Sequence, residues 1–126
     1  MSSQAGHIFI AGASSDIGLA VTKSLQEKGA SLILHTSSEA GQYKLNQLLG
    51  AGHTHKIIRL DFTQIEALEE SLSKLFLDHP LIGLVNCVGL RSRRPLKLLK
   101  PNHIQSVFQV NLFSFLELIR LACAKN

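Results

Sequence analysis

The sequence has little of several residue types, and each shortage argues against a class of protein. It contains no Trp and one Tyr in 126 residues, whereas a nucleic-acid surface interleaves aromatic side chains with a large basic face. Its two cysteines, Cys87 and Cys123, stand in apolar surroundings without the C-x-x-C spacing of a zinc site or the dense framework of a disulfide-rich domain. We therefore expect no nucleic-acid partner, no metal site and no disulfide.

Long apolar runs and strong charge are also scarce. No uninterrupted apolar run reaches the length of a membrane span, and the N-terminus lacks a positively charged leader region, so we expect no membrane partner and a cytoplasmic location. The formal net charge is +4, and basic residues cluster only in residues 90–101, which we interpret as a solvated loop. With 45% hydrophobic residues, the chain should form one globular domain over residues 1–126.

Four apolar runs have the length and composition of buried strands, at residues 7–11, 31–35, 56–60 and 81–86. Helical patterns lie between them at residues 17–28, 39–49 and 65–77, and Thr63 to Glu66 spells a capping box before the third. Strict alternation of strand and helix requires parallel strands with right-handed crossovers. The pattern predicts an α/β fold, a Rossmann-like doubly wound parallel sheet, that is truncated after four strands and one further long helix.

The long helix is predicted at residues 102–125. Apolar residues recur there with spacings of three and four, and one polar residue, Asn111, interrupts the stripe. An unpaired buried amide costs about 1–3 kcal/mol, so Asn111 should either have specific partners or border a cleft. The stripe comprises Ile104, Phe108, Asn111, Phe115, Leu118 and Ala122.

The first predicted strand runs directly into the turn A-G-A-S-S-D-I-G at positions 11–18. Gly12 permits a sharp turn, Ser14 and Ser15 offer hydroxyl groups, Gly18 allows close approach of helix and strand, and the first helical amides can face an anion. This pattern indicates a phosphate site, although a purely structural turn uses similar residues. The Asp16 carboxylate would repel a phosphate unless it points away, for example as the helix N-cap.

The turn resembles the T-G-x-x-x-G-[IL]-G motif of the short-chain dehydrogenase/reductase family, with Ala11 for Thr, Asp16 for the middle Gly, and Ile17 matching. Three further segments match that family in order: Asp61-Phe62, then N-C-V-G at 86–89 for the N-N-A-G motif, then Asn111. The pattern is most similar to that of 3-oxoacyl-[acyl-carrier-protein] reductases.

The resemblance implies roles for these residues. Asp61 and Phe62 would contact the adenine, Gly89 would let the backbone run beside the ribose and nicotinamide, and Asn111 would be the first catalytic residue, positioning a water in a proton relay. Each segment has an alternative reading, since Asp61 can simply flank a helix and Asn86 can stabilise the sheet. Around the pyrophosphate, the resemblance places Gly12, Ser14, Ser15, Ile17 and Gly18.

The cofactor predicted from the end of the second strand is NADP rather than NAD. NAD-binding folds place an acidic residue there to bond the ribose 2′-hydroxyl, whereas this chain has Thr36, Ser37 and Ser38, with Glu39 already in the next helix. Ser37 and Ser38 are uncharged donors that suit a 2′-phosphate. No Arg accompanies them, so a polar turn without a cofactor role is the alternative.

The family's remaining catalytic residues, Ser and Tyr-x-x-x-Lys, have no counterpart in these 126 residues. The single tyrosine, Tyr43, is followed four residues later by Gln47. We expect an oxidoreductase's nucleotide-binding half that is inactive alone, or alternatively a non-catalytic nucleotide-binding or scaffold module. We also expect a homo-oligomer through the open edge of the fourth strand and the final helix, where Val110, Phe113 and Leu121 are apolar outside the Asn111 stripe.

Overall fold

A computed structural model describes residues 6–90 and 93–124. Arg91 of the basic loop and Lys125 at the end of the predicted final helix lie outside these ranges. The first part of the chain alternates strands and helices as predicted. In chain order the elements are β1 (His7–Ala11), α1 (Asp16–Glu27), β2 (Ser31–Thr36), α2 (Glu39–Leu49), β3 (Lys56–Arg59), α3 (Glu66–Asp78) and β4 (Leu81–Asn86).

The four strands form one parallel sheet in the order β3-β2-β1-β4. β1 pairs with β2 from His7 opposite Ser31, and with β4 from His7 opposite Leu81. The chain therefore builds outward from β1 to one side and then returns to place β4 on the other side. The Rossmann-like fold is confirmed, and its strand order reverses between β1 and β4, where such sheets bind ligands at the carboxyl ends of the strands.

Each face of the sheet carries its own hydrophobic core because side chains alternate along a strand. On one face, Ile10, Leu32 and Leu34 pack with Leu45 and Leu49 of α2. On the other face, Phe9 and Ile33 pack with residues of α3 and of the final helix, including Leu68, Leu72, Phe76 and Leu118. The two covered faces make the sheet doubly wound.

Two serines begin the first two helices, whereas the predicted capping box does not form. Ser15 Oγ accepts a hydrogen bond from Gly18 N, and Ser38 Oγ accepts one from Gly41 N, both at 3.0 Å. No side chain caps α3 at Ile65. Instead, Asp61 Oδ1 accepts from the Thr63 amide at 2.9 Å and from its hydroxyl at 2.6 Å. The turn at residues 61–63 therefore engages the Thr63 hydroxyl that the capping box would use.

The final helix has an irregular middle. After a 3₁₀ turn at Leu96–Leu98, helix α4 (Pro101–Phe108) continues through a π-helical segment (Gln109–Phe113) into α5 (Ser114–Cys123). A π turn holds more residues than an α turn, so it shifts the face that later residues present. The predicted stripe is wrong in its first half: Ile104, Phe108 and Asn111 are exposed, whereas Val110, Ser114, Leu118 and Leu121 are buried.

The helical stretch 101–123 also corrects the expectation about membrane spans. Its 23 residues, with a mean hydropathy of 1.3 over 18 of them, are long and apolar enough to cross a bilayer. The expectation was based on uninterrupted apolar runs, whereas scattered polar residues interrupt the stretch 101–123. Only 22% of that window is buried in the described chain, although Leu118 and Leu121 belong to the core.

Candidate functional site

A cleft of about 390 Å³ lies at the carboxyl ends of the strands, at the point where the strand order reverses. This size falls within the range typical of small-molecule sites. The predicted site residues that line it are Gly12, Ser14, Ser15, Ser37, Asp61, Phe62 and Gly89. Thr36, considered with Ser37 and Ser38 as a phosphate donor, also lines it, as do Cys87 and Val88 of the N-C-V-G segment. The lining residues that the sequence did not indicate are His35, Thr63, Leu90 and Val110.

Gly12 and Gly18 make the turn after β1 as tight as the sequence indicates. Gly12 has φ +72°, and a Cβ there would lie 2.8 Å from the main chain of Cys87 and Val88, after β4. A Cβ on Gly18 would strike the carbonyl oxygen of Gly12 and lie 2.7 Å from the carbonyl carbon of Ala13. The missing side chains thus bring the start of α1 and the segment after β4 against the turn.

Ser15 has a different role from the one predicted for it. Its hydroxyl donates to the Gly12 carbonyl oxygen at 3.0 Å and accepts from Gly18 N, so it is occupied as the N-cap of α1. The predicted alternative of an Asp16 N-cap is therefore wrong: Asp16 is the first helical residue and is exposed, like Ile17 beside it. In the part of the chain that the structure describes, the amides of these two residues have no hydrogen-bond acceptor.

His35 is the central site residue that the sequence analysis missed. It is 3% exposed, its Nδ1 accepts from Gly12 N at 3.0 Å, and its Nε2 bonds the Leu60 carbonyl oxygen at 2.9 Å. The ring stacks on Phe62 with centroids 3.9 Å apart and planes 7° apart. Burial lowers the pKa of His35, so the ring is neutral near neutral pH. A histidine within a buried strand run was the available signal, because a buried imidazole needs partners.

The end of β2 is tied to the turn by short polar side chains. Ser14 Oγ and Thr36 Oγ1 share a hydrogen bond of 2.7 Å. Gly41 of α2 lies so close that a Cβ there would overlap Thr36 Oγ1 and lie 2.6 Å from Ser14 Oγ. Ser37 is exposed and lines the cleft, whereas Ser38 is outside the lining and caps α2. Of the two predicted phosphate ligands, only Ser37 therefore presents its hydroxyl to the cleft unengaged.

Asp61 and Phe62 follow β3 and form one wall of the cleft. Hydrogen bonds from the Thr63 hydroxyl and amide lower the pKa of Asp61, so this carboxylate is ionised at neutral pH. Phe62 is buried beneath the cleft floor, with its ring on His35. The main-chain and carboxylate groups of this segment, more than the phenyl ring, are therefore the parts that a ligand can reach.

The segment after β4 lies across the cleft from the turn. Cys87 N donates to the Ala11 carbonyl oxygen at 2.8 Å, and Asn86 Oδ1 accepts from Val88 N at 3.2 Å, within its own segment. Burial raises the pKa of the Cys87 thiol, which is therefore uncharged at neutral pH. No described atom lies within 4 Å of where a Cβ of Gly89 would stand, so the backbone there faces open space.

Asn111 has specific partners, one of the two alternatives that the sequence left open. Its Oδ1 accepts from Leu90 N and its Nδ2 donates to the Leu90 carbonyl oxygen, both at 2.6 Å. The expectation that it is buried is wrong, because the π-helical segment presents it at the exposed mouth beside the chain that leaves β4. π-helical turns often occur at functional sites. In this one, the side-chain amide of Asn111 bonds the main chain of Leu90, which lines the cleft.

Together these residues offer a nucleotide what its parts require. The unpaired main-chain amides at the start of α1 can donate to phosphate oxygens, and the open backbone at Gly89 leaves room for a flat ring. The volume of the cleft suits one of the two mononucleotide units of a dinucleotide. Among residues 6–90 and 93–124, no group of three or more His, Cys, Asp or Glu side chains could hold a metal ion.

Comparison with known proteins agrees with this geometry. The sequence pattern of the short chain dehydrogenase family matches residues 6–125. The chain belongs to this family. A curated relative, the 3-oxoacyl-[acyl-carrier-protein] reductase of Buchnera aphidicola subsp. Acyrthosiphon pisum, is 26% identical over 113 residues, which are 89% of this chain and 46% of the relative.

Solved structures show the same fold. A 4-hydroxyisoleucine dehydrogenase complexed with NADH is 26% identical with a TM-score of 0.85, over 95% of this chain and 49% of that one. A 3-oxoacyl (acyl-carrier-protein) reductase of Agrobacterium tumefaciens C58 with NADP bound is 23% identical with a TM-score of 0.81, over 97% of this chain and 48% of that one. The chain thus spans about half the length of these relatives.

Proposed function

We propose that this chain is the nucleotide-binding half of an NADP-dependent short-chain dehydrogenase/reductase that acts on a carbonyl or alcohol. The observation that carries the proposal is the cleft itself, because five segments far apart in sequence meet there at the reversal of strand order. The similarity to a 3-oxoacyl-[acyl-carrier-protein] reductase and to structures with NADH or NADP bound supports it. Bound NADP would supply or accept the hydride.

The preference for NADP over NAD rests on the end of β2. Thr36 and Ser37 line the cleft there, and both are uncharged. Glu39, the nearest acidic residue along the chain, is the first residue of α2 and lies outside the lining. A 2′-phosphate therefore meets hydroxyl groups at this edge rather than a carboxylate that would repel it.

In this proposal the chain binds the cofactor without completing turnover by itself. Proton transfer from a positioned acid typically contributes 10²- to 10⁴-fold to such a rate, and the only tyrosine, Tyr43, is an exposed residue of α2 that does not line the cleft. Asn111 would supply the first position of the family's proton relay through its place beside Leu90. A module that binds nucleotide and never catalyses remains the second candidate, supported by the same absence of a positioned tyrosine.

Titration with NADPH and NADH, followed by calorimetry, tests the cofactor assignment. We expect saturable binding of both, tighter for NADPH, because the end of β2 offers the free Ser37 hydroxyl and no carboxylate to a 2′-phosphate. In the variant Gly89→Ala, affinity should fall about tenfold while thermal stability is unchanged, because no described atom beyond its chain neighbours lies within 4 Å of the added methyl and the proposal places the ligand there.

The matched control for that variant is Gly83→Ala in β4. Its new Cβ would lie 3.4 Å from the Ile8 side chain, an ordinary contact inside the sheet, and it should leave affinity unchanged. Absence of binding for both cofactors would refute the nucleotide assignment, and tighter binding of NADH would refute the NADP preference.

We also propose that the chain forms a homo-oligomer through the exposed face of the final helix and the free edge of β4. Large apolar side chains follow one another along that helix, and β4 pairs only with β1 in the described chain. Isolated exposed apolar residues are ordinary, but a contiguous row of this kind is typical of an interface. The row comprises Ile104, Phe108, Leu112, Phe113, Leu116 and Ile119.

Sedimentation at micromolar concentration should therefore show dimers or larger species. Leu116→Glu should shift the distribution to monomer if the helix carries the contact, and Ile82→Lys should do so if the β4 edge does, since Ile82 is exposed on that strand. Tyr43→Ser, at an equally exposed position of α2, should have no effect. A wild-type chain that sediments as a monomer would disprove this part of the proposal.

A further inference from the structure

We propose that His35 is a positioning residue whose neutral imidazole holds the phosphate-binding turn in shape, so that acid weakens nucleotide binding by releasing Gly12 from the ring. The inference rests on the proposed function only for its effect on nucleotide binding. The hydrogen bond between Gly12 N and His35 Nδ1 does not depend on that function and can be followed without any ligand.

The hydrogen bonds of His35 admit one protonation state. Gly12 N is a donor, so Nδ1 must accept with a lone pair, and the Leu60 carbonyl oxygen is an acceptor, so Nε2 must carry the proton. A second proton on Nδ1 would place two N–H groups against each other across 3.0 Å. The cationic ring is therefore incompatible with the turn as it stands.

The contact lies where a small movement matters. The main-chain oxygen of His35 also accepts from Ala13 N at 2.8 Å, so the side chain and the backbone of one residue bind two consecutive amides of the turn. Gly12 is confined on its other side by the main chain of Cys87 and Val88. Loss of the side-chain bond would free the first of these amides while the strand pairing persists.

Among the described residues, the His35 ring has no carboxylate within ion-pair distance. The ring is covered by Phe62, and the ionisable side chains that line the same cleft are Asp61, whose carboxylate is engaged by Thr63, and the neutral Cys87. The lining residues from the turn and from β2 carry no other ionisable group, and on α3 the acidic residues of the first turn, Glu66 and Glu69, are exposed.

The direction of the pH effect follows from burial. Because the pKa of His35 in the folded chain is lowered from its ordinary value of 6.5, the neutral form is favoured and its contribution is complete above pH 6.5. That contribution declines as pH falls below 6.5 and is lost once pH reaches the lowered pKa. Nucleotide binds the folded chain, so its affinity should stay constant until pH falls to the lowered pKa and should decline below it.

The experiment combines NMR of the free chain with NADP titrations from about pH 7.5 to about pH 5. Oxidised NADP is used because reduced nicotinamide is unstable in acid. We expect the Gly12 amide signal to titrate together with the His35 ring, and NADP affinity to fall about tenfold more in the wild type than in His35→Asn. In that variant, Asn Oδ1 replaces the Nδ1 acceptor and does not take a proton.

Two further variants separate this role from simpler ones. His35→Phe keeps a ring on Phe62 and removes both hydrogen bonds, so it should lose affinity throughout the pH range. His55→Asn is the matched control, because His55 Nδ1 also accepts from a main-chain amide, that of Leu32, outside the cleft lining. It should leave the pH profile of NADP binding as in the wild type.

The outcomes for the role of His35 and for the proposed function can be told apart. A Gly12 signal that does not follow the His35 titration, or a His35→Asn profile equal to that of the wild type, would overturn the inference. If the wild type binds no nucleotide at about pH 7.5, the proposed function fails, and the Gly12 signal alone decides the role of His35. Any pH dependence that His35→Asn retains belongs to the 2′-phosphate of the ligand or to other groups.

Discussion

Replacing Gly18 with Ala is expected to weaken NADP binding by more than about tenfold and to lower the free energy of unfolding by about 1–3 kcal/mol. The new methyl group would overlap the Gly12 carbonyl oxygen and lie within 2.8 Å of Ala13 Cα. These are main-chain atoms that cannot rotate away, so the start of α1 must move off the turn. The unpaired amides of Asp16 and Ile17 move with it, away from the phosphate site.

The better helix propensity of Ala offsets about 1 kcal/mol of this cost at most. Calorimetric titration with NADP and urea denaturation measure the two effects, with Gly83→Ala as the control in which the same methyl group meets only ordinary contacts. A Gly18→Ala chain with unchanged stability and unchanged affinity would show that α1 and β1 tolerate a wider separation than the structure has.

Replacing Leu118 with Ala should have the largest effect on stability, a loss of about 2–5 kcal/mol. Leu118 of α5 is 0% exposed. It belongs to the core that packs α3 and α5 against Phe9 and Ile33 of the sheet. Removing its side chain leaves a cavity among residues that the sheet holds in place. Urea denaturation followed by circular dichroism at several chain concentrations measures the loss separately from any oligomer equilibrium.

Leu116→Ala is the matched control for this substitution, because Leu116 lies two residues earlier in the same helix and is 54% exposed. It should change the unfolding free energy of the monomer by less than about 0.5 kcal/mol. Equal effects of the two substitutions would mean that α5 does not rest on the core as the structure shows.

Sequence reasoning predicted best the elements that depend on local signals. The bounds of β1, α2 and β4 agree with the structure, because apolar runs and serine caps mark where such elements begin and end. The start of α3 agrees within one residue, but the predicted capping box was wrong because Asp61 engages the Thr63 hydroxyl and amide. Competition between two local motifs is decided by three-dimensional geometry that a motif alone does not contain.

The two largest differences from the sequence prediction, at Asn111 and His35, arise from long-range geometry. The helical period assigned Asn111 to a buried stripe, but the π-helical segment shifts the face of the helix between Phe108 and Ser114. His35 was read as an ordinary strand residue because its partners, Gly12 and Leu60, lie 23 and 25 positions away along the chain. Only the order of the strands in the sheet brings them within reach of its ring.

The pairing of β1 with β4 has a consequence for the time course of folding. His7 lies opposite Leu81, 74 positions later, so β1 leaves the ribosome well before its partner β4. Closing so long a loop costs entropy before its contacts form, and folds dominated by distant pairings assemble slowly. The cleft needs both strands, so it should be completed late. During synthesis, one edge of β1 stays exposed to mispairing until β4 has been made.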